Sequence, residues 1–167
     1  MEEYHIDGFR FDGVTSMLYW DHGLEKDFVG YENYFNQGVD DNAITYLALA
    51  NILIHEMNEN AFTIAEDVSG MAGLAAPIAM GGVGFDFRMS MGVADNWIKW
   101  IKELSDDDWR VGEMWWQLTN KREDEKTISY AECHDQAMVG DKTIAFRLMD
   151  AEMYTSMNKE SQSPVVD

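Results

Sequence analysis

Asp7-Gly8-Phe9-Arg10-Phe11-Asp12-Gly13 reads as a short buried strand that ends in a charged pair. Side chains two residues apart on a strand share a face and lie about 6.6 Å apart along it, so Arg10 is placed to hold Asp12 as an ion pair. Phe9 and Phe11 then point the other way, into a hydrophobic layer. A carboxylate kept charged at a strand end is what a glycosidic nucleophile requires. The stretch acquires that meaning only if a second carboxylate, able to act as an acid, follows at a sensible distance.

Working outward, the strand covers residues 6 to 11. Residues 13 to 40, with Gly13, Gly23, Gly30 and Gly38 among aromatic and polar residues, read as a long functional loop. Asp40 and Asp41 are N-cap residues for a helix over about 42 to 58, whose apolar face is Ile44, Leu47, Ala48, Ile52 and Leu53. Ala61 to Ala65 is a second strand ending at Glu66, and Phe85-Asp86-Phe87 a short third one. Met91 to Leu104 has helical spacing, with Trp97 and Trp100 as packing residues. Ser105 to Trp109 is an acidic turn and Val111 to Leu118 a further helix. Thr127 to Ala131 is a fourth strand that delivers Glu132 to Asp135 at its end, and Lys142 to Tyr154 a final helix. The tail after Met157 is polar and unpatterned, so residues 1–157 are expected to form one partial domain and 158–167 a tail.

Strand alternating with helix predicts an α/β fold with a parallel sheet, either closed as a barrel or open and doubly wound. Asp12, Glu66 and Asp135 each fall at the C-terminal end of a predicted strand, where barrel enzymes carry their chemistry. The glycines Gly81, Gly82 and Gly84 precede a strand instead of following one, so they make a poor phosphate cradle. A barrel spends about 30 residues on each strand-helix unit. Asp12 to Glu66 is one such unit with an enlarged loop, and Glu66 to Asp135 is two. Four strands are therefore expected, half of a (β/α)8 TIM barrel.

Composition narrows the partners. Against 12 Lys and Arg stand 31 Asp and Glu, a net charge of −19 that repels nucleic acid and anionic membranes and leaves a neutral or cationic partner. With 167 residues and 46% hydrophobic content the chain is a folded protein. Cys133 is the single cysteine, so no intrachain disulfide forms and a reducing interior suits it. The start Met-Glu-Glu-Tyr-His-Ile lacks the basic and apolar regions of a signal peptide. The expected location is cytoplasmic, or plastidial if a transit peptide lies on a missing N-terminus.

With Gly8-Phe9-Arg10-Phe11-Asp12-Gly13, Ile64-Ala65-Glu66-Asp67 and His134-Asp135 in order, the chain resembles the α-amylase superfamily of barrel enzymes. Longer matches are narrower: Asp7 through Tyr19, Ala65-Glu66-Asp67-Val68-Ser69-Gly70, and Tyr130-Ala131-Glu132-Cys133-His134-Asp135-Gln136-Ala137 are similar to the 1,4-α-glucan branching enzymes of starch and glycogen synthesis. Val139-Gly140-Asp141-Lys142 and Leu148-Met149-Asp150-Ala151-Glu152-Met153-Tyr154 continue the likeness, closest to the eukaryotic-type branch. The resemblance places the chain at about strands 4 to 7 of the barrel. Upstream strands, one bearing a substrate-binding histidine, the last strand and a C-terminal β-domain are absent. Cys133 stands where the family has serine, a change read as tolerated packing.

Carried over residue by residue, the resemblance makes Asp12 the nucleophile, Glu66 the acid/base and Asp135 the transition-state stabiliser, with Arg10 and His134 binding substrate. A retaining double displacement on an α-glucan is implied, in which the 6-hydroxyl of an acceptor chain replaces water. Tyr19, Trp20, Tyr31 and Tyr34 are candidates to stack on sugar rings, or equally to pack the loop. No cofactor is implied. No metal is expected either: His55-Glu56 lacks the second histidine of a zinc-protease helix, although His134 with Glu132 would permit a ligand pair. An amylase-like hydrolase, or a non-catalytic glucan-binding fragment, remains the alternative reading.

Overall fold

Residues around Arg10 form strand β1 (Gly8–Phe11) in the computed structural model of the chain, which describes residues 1, 3–138 and 142–166, Gln136 by its backbone alone. The Val139-Gly140-Asp141 part of the motif quoted above lies outside the described residues, as do Glu2 and Asp167. Strands β2 (Phe62–Ala65), β3 (Phe87–Met89) and β4 (Thr127–Ile128) join β1 in one sheet of order β1-β2-β3-β4. All three pairings are parallel. The order runs consecutively, without the reversal that marks a doubly wound sheet. An α/β chain with a four-stranded parallel sheet of this order is consistent with part of an amylase-type barrel.

All four strands differ from their expected spans, β1 beginning at Gly8 and not at residue 6, and β2 at Phe62 and not at Ala61. The third begins at Phe87, not Phe85, because Phe85 donates its N–H to Leu74 and Asp86 its N–H to Thr63 before the ladder starts at Ile64↔Phe87. Phe85 is buried in the core, edge-on to Phe11 at 5.2 Å between ring centres. The fourth strand ends at Ile128 instead of running to Ala131 and delivering Glu132 to Asp135 at its end. Its partner β3 stops at Met89, since helix α4 (Met91–Glu103) begins two residues on, and a strand cannot extend past the ladder that pairs it. The first strand is half-buried throughout, not buried.

The chain divides into two compact units. The first, Met1–Ser90 with Lys121–Ile128, holds the sheet and, among the described residues, three α-helices, α1 (Val14–Leu18), α2 (Tyr31–Tyr34) and α3 (Asp41–Met57). Its core joins Leu18 of α1, Leu47 of α3 and Leu74 of the loop after β2, each with no exposed surface. Burying a leucine stabilises by about 1.5–3 kcal/mol, so these three outweigh the 0–1 kcal/mol of any exposed ion pair in the unit. Asp40 caps α3, its Oδ1 accepting from the N–H groups of Asn42 at 2.9 Å and Ala43 at 3.3 Å. The buried stripe of α3 is narrower than its sequence pattern: Leu47 and Asn51 are buried, whereas Ile52 and Leu53 are exposed.

The second unit, Met91–Asn120 with Ser129–Asp167, is helical. Helix α4 packs against α5 (Val111–Thr119) and against α7 (Ile144–Met149). Trp97 meets Trp100 and Trp109 edge-on, each at 5.7 Å, so these tryptophans are packing residues as expected. The expected final helix is two, α7 and α8 (Glu152–Thr155), because Asp150 takes φ 41°, outside the right-handed helical region. Residues 134–138 form the short helix α6 (His134–Met138). Among the described residues no helix is long and apolar enough to cross a membrane.

Candidate active site

At the C-terminal ends of β1 and β2 the chain places its two lead carboxylates next to each other. Phe11 pairs with Ala65 in the parallel register, and the next residue on each strand is Asp12 and Glu66. The juncture is tied three ways. Glu66 donates its N–H to the Phe11 carbonyl at 2.9 Å, its own carbonyl accepts from the Val14 N–H at 3.0 Å, and its Oε2 accepts from the Gly13 N–H at 2.5 Å. Gly13 makes that last bond because its φ of 62° turns the chain sharply from β1 into α1, a conformation open to glycine at no steric cost. Glu66 is buried at 9% exposure.

Arg10 stands where the strand alternation puts it. Its Nη1 lies 2.7 Å from Asp12 Oδ1, and its Nε donates to Met89 Sδ on β3 at 2.9 Å. The side chain of Asp12 is 64% exposed, so the pair orients the carboxylate and adds little to stability. His134 and Asp135 belong to the second unit, at the start of α6, with His134 Nε2 3.2 Å from Asp135 Oδ1. Neither sits at a strand end: five residues separate the end of β4 from His134, and the expectation that the fourth strand delivers them at its end is corrected accordingly.

Cys133 donates to Asp135 Oδ2 at 3.2 Å, so this position contacts the motif through a hydrogen bond and does more than fill space. Ligand atoms of Cys133, His134 and Asp135 lie within 4.8 Å of one another. No fourth ligand joins the group among the described residues, so it falls short of a four-coordinate structural site. Glu132 is not part of it. Its Oε2 accepts from the Ile144 N–H at 2.7 Å, at the start of α7.

The loop aromatics divide. Tyr19 is buried at 1% exposure against Phe28, which stacks on Tyr34 at 5.5 Å, so Tyr19 and Tyr34 pack the loop and are not sugar platforms. Burial pushes the Tyr19 phenol above its ordinary pKa, partly offset by the polar Ser69 side chain nearby. Trp20 and Tyr31 are the exposed pair. His55, set aside as a zinc ligand, bonds through Nε2 to Asp86 Oδ2 at 2.9 Å, beside a cleft of about 700 Å³ lined by Asn51, Ile78, Phe85 and Lys126.

Sequence reasoning missed a buried ionic group directly behind Glu66. Asp67 Oδ2 accepts from Arg88 Nη2 at 2.6 Å, and Arg88 Nη1 reaches Glu125 Oε2 at 3.1 Å. All three side chains are nearly inaccessible, at 0%, 8% and 1% exposure for Asp67, Arg88 and Glu125. The only available signal was an arginine and a glutamate beside predicted strands, which a solvated surface explains equally well.

The fold and site together define an α/β protein whose parallel sheet carries an aspartate and a glutamate at the C-terminal ends of neighbouring strands. Over 169 residues it is 57% identical to a 1,4-alpha-glucan-branching enzyme of Felis catus, with all of this chain and 24% of that protein covered. Proteins of the same name from Rhizophagus irregularis and Solanum tuberosum are each 54% identical over 169 residues, again across the whole chain, with 25% and 20% of their lengths covered. No family model matches the chain. By sequence it belongs with the 1,4-alpha-glucan-branching enzymes, and it spans about a quarter of the length of these relatives.

Proposed function

We propose that the chain is the part of a 1,4-α-glucan branching enzyme that carries the nucleophile and the acid/base, at about strands 4 to 7 of its barrel. The observation that carries this reading is the register that sets Asp12 beside Glu66. Adjacent strands lie about 4.8 Å apart, a spacing close to the roughly 5–5.5 Å between carboxyls in retaining glycosidases. In the first step a carboxylate oxygen of Asp12 attacks the anomeric carbon of an α-1,4-linked glucan. The C1–O4 bond breaks, and the departing oxygen takes the proton of Glu66. Oε2 accepts the Gly13 N–H, which leaves Oε1 as the oxygen to deliver that proton. In the second step Glu66 removes the proton of an incoming 6-hydroxyl, whose oxygen displaces Asp12 from C1. The products are an α-1,6 branch and both carboxyls in their starting protonation states.

Arg10 orients Asp12, and His134 and Asp135 grip the sugar as its ring flattens. Turnover belongs to a longer chain, since β1 and β4 each pair on one side in the four-stranded sheet and Asp12 is largely open to solvent. The test places these 167 residues in the matching stretch of the Felis catus enzyme. Loss of iodine staining of amylose with new α-1,6 linkages and few new reducing ends is expected, and Asp12→Asn removes it. Abundant reducing ends would identify a hydrolase instead, and branching by the isolated chain would overturn the requirement for a longer one.

A further inference from the structure

We propose that Asp67, Arg88 and Glu125 form a positioning set for the Glu66 acid/base, an inference that rests on the role proposed above for Glu66. Asp67 follows Glu66 directly and is clamped on every side. Its Oδ1 accepts from Thr15 Oγ1 at 2.6 Å and Ser69 Oγ at 2.7 Å, and its Oδ2 from the Gly70 N–H at 2.9 Å and Arg88 Nη2 at 2.6 Å. Thr15 closes the ring by accepting the Val68 N–H at 2.9 Å. The end of β1, which carries Asp12, is thereby locked to the end of β2, which carries Glu66.

Arg88 extends the lock across the sheet. From β3, where it pairs in register with Ala65, it donates Nη1 to the Met71 carbonyl at 2.7 Å and to Glu125, whose two oxygens accept the N–H groups of Gly73 and Ala75 at 3.0 Å each. The segments after β2 and before β4 are both held by one guanidinium. Buried ionic groups of this kind are poor stabilisers compared with apolar packing of the same volume. What they supply is a fixed geometry, and a misplacement of about 1 Å at a reacting group costs on the order of a hundredfold in rate.

The experiment separates positioning from folding by leaving-group chemistry. In the full-length chain assembled on the Felis catus enzyme, Asp67→Asn, Arg88→Lys and Thr15→Val are assayed on amylose and on α-maltosyl fluoride. The glucan oxygen needs a proton to depart; fluoride needs almost none. Misplacing Glu66 lowers kcat/KM on amylose by roughly 10- to 100-fold and leaves the fluoride within about threefold, a partial loss of the roughly 100- to 10,000-fold that acid catalysis contributes. Equal losses on both substrates, or no loss in any of the three variants, would overturn the proposal. Glu66→Gln serves as the reference. If it shows no selective loss on amylose, the acid/base reading itself falls; if it does while the other three do not, the positioning set alone is overturned.

Discussion

Replacing Arg88 by methionine removes one charge from a group whose other two members are buried carboxylates. Breaking a buried ion pair in this way costs about 3–5 kcal/mol in general. Here the low end applies. Asp67 keeps four protein donors, from Thr15, the Ser69 hydroxyl and N–H, and the Gly70 N–H. Glu125 keeps the Gly73 and Ala75 N–H groups and Arg122 at 3.5 Å. Methionine also fills most of the space of the arginine stem, so little cavity cost is added. The expected loss is about 3 kcal/mol, which lowers the hydrogen-exchange protection of the Gly70, Gly73 and Ala75 amides by roughly a hundredfold. Exchange measured by mass spectrometry on peptides covering residues 67–76 reads this directly. Combining Arg88→Met with Asp67→Asn then costs less than the sum of the two, with a coupling of about 1–3 kcal/mol. Protection reduced less than fivefold, or strictly additive losses, would refute the reasoning.

Three single positions give further outcomes. A Cβ at Gly8 would overlap the Phe62 carbonyl across the β1–β2 pair, whereas one at Gly92 in α4 meets nothing within 4 Å. Gly8→Ala is therefore expected to destabilise by about 1–3 kcal/mol and Gly92→Ala to stabilise by about 0.4–1 kcal/mol, checked by chemical denaturation of each. Tyr19 holds its proton more tightly in the folded state than in the unfolded one, so its contribution to stability is complete below the ordinary tyrosine pKa of about 10 and is lost as pH rises through its raised value. In an absorbance titration of the seven tyrosines, one ionises late and Tyr19→Phe removes that step; coincident ionisation of all seven would count against burial as the cause.

Local features were legible because their causes are local. Arg10 and Asp12 meet because strand geometry alone puts residues two apart on one face. Asp40 caps α3, its carboxylate reaching N–H groups two and three residues on. The break at Asp150 and the short β4 were not legible. One depends on a single backbone angle, and the other on where its partner strand ends. The loop tyrosines show the same limit: a tyrosine pattern is compatible with packing or with sugar stacking until the neighbours are known.

Sequence by itself determined the parallel α/β class, the strand ends that carry Asp12 and Glu66, and the kinship with branching enzymes, since each rests on residues close together in the chain. Only the tertiary structure decided that Arg88 of β3 joins Asp67 and Glu125 behind Glu66, and that the Gly13 N–H meets the Glu66 carboxyl. Those contacts join residues tens of positions apart. Their partners are chosen by sheet register and by the cost of burying an unmatched charge, and neither is written in any short stretch of sequence.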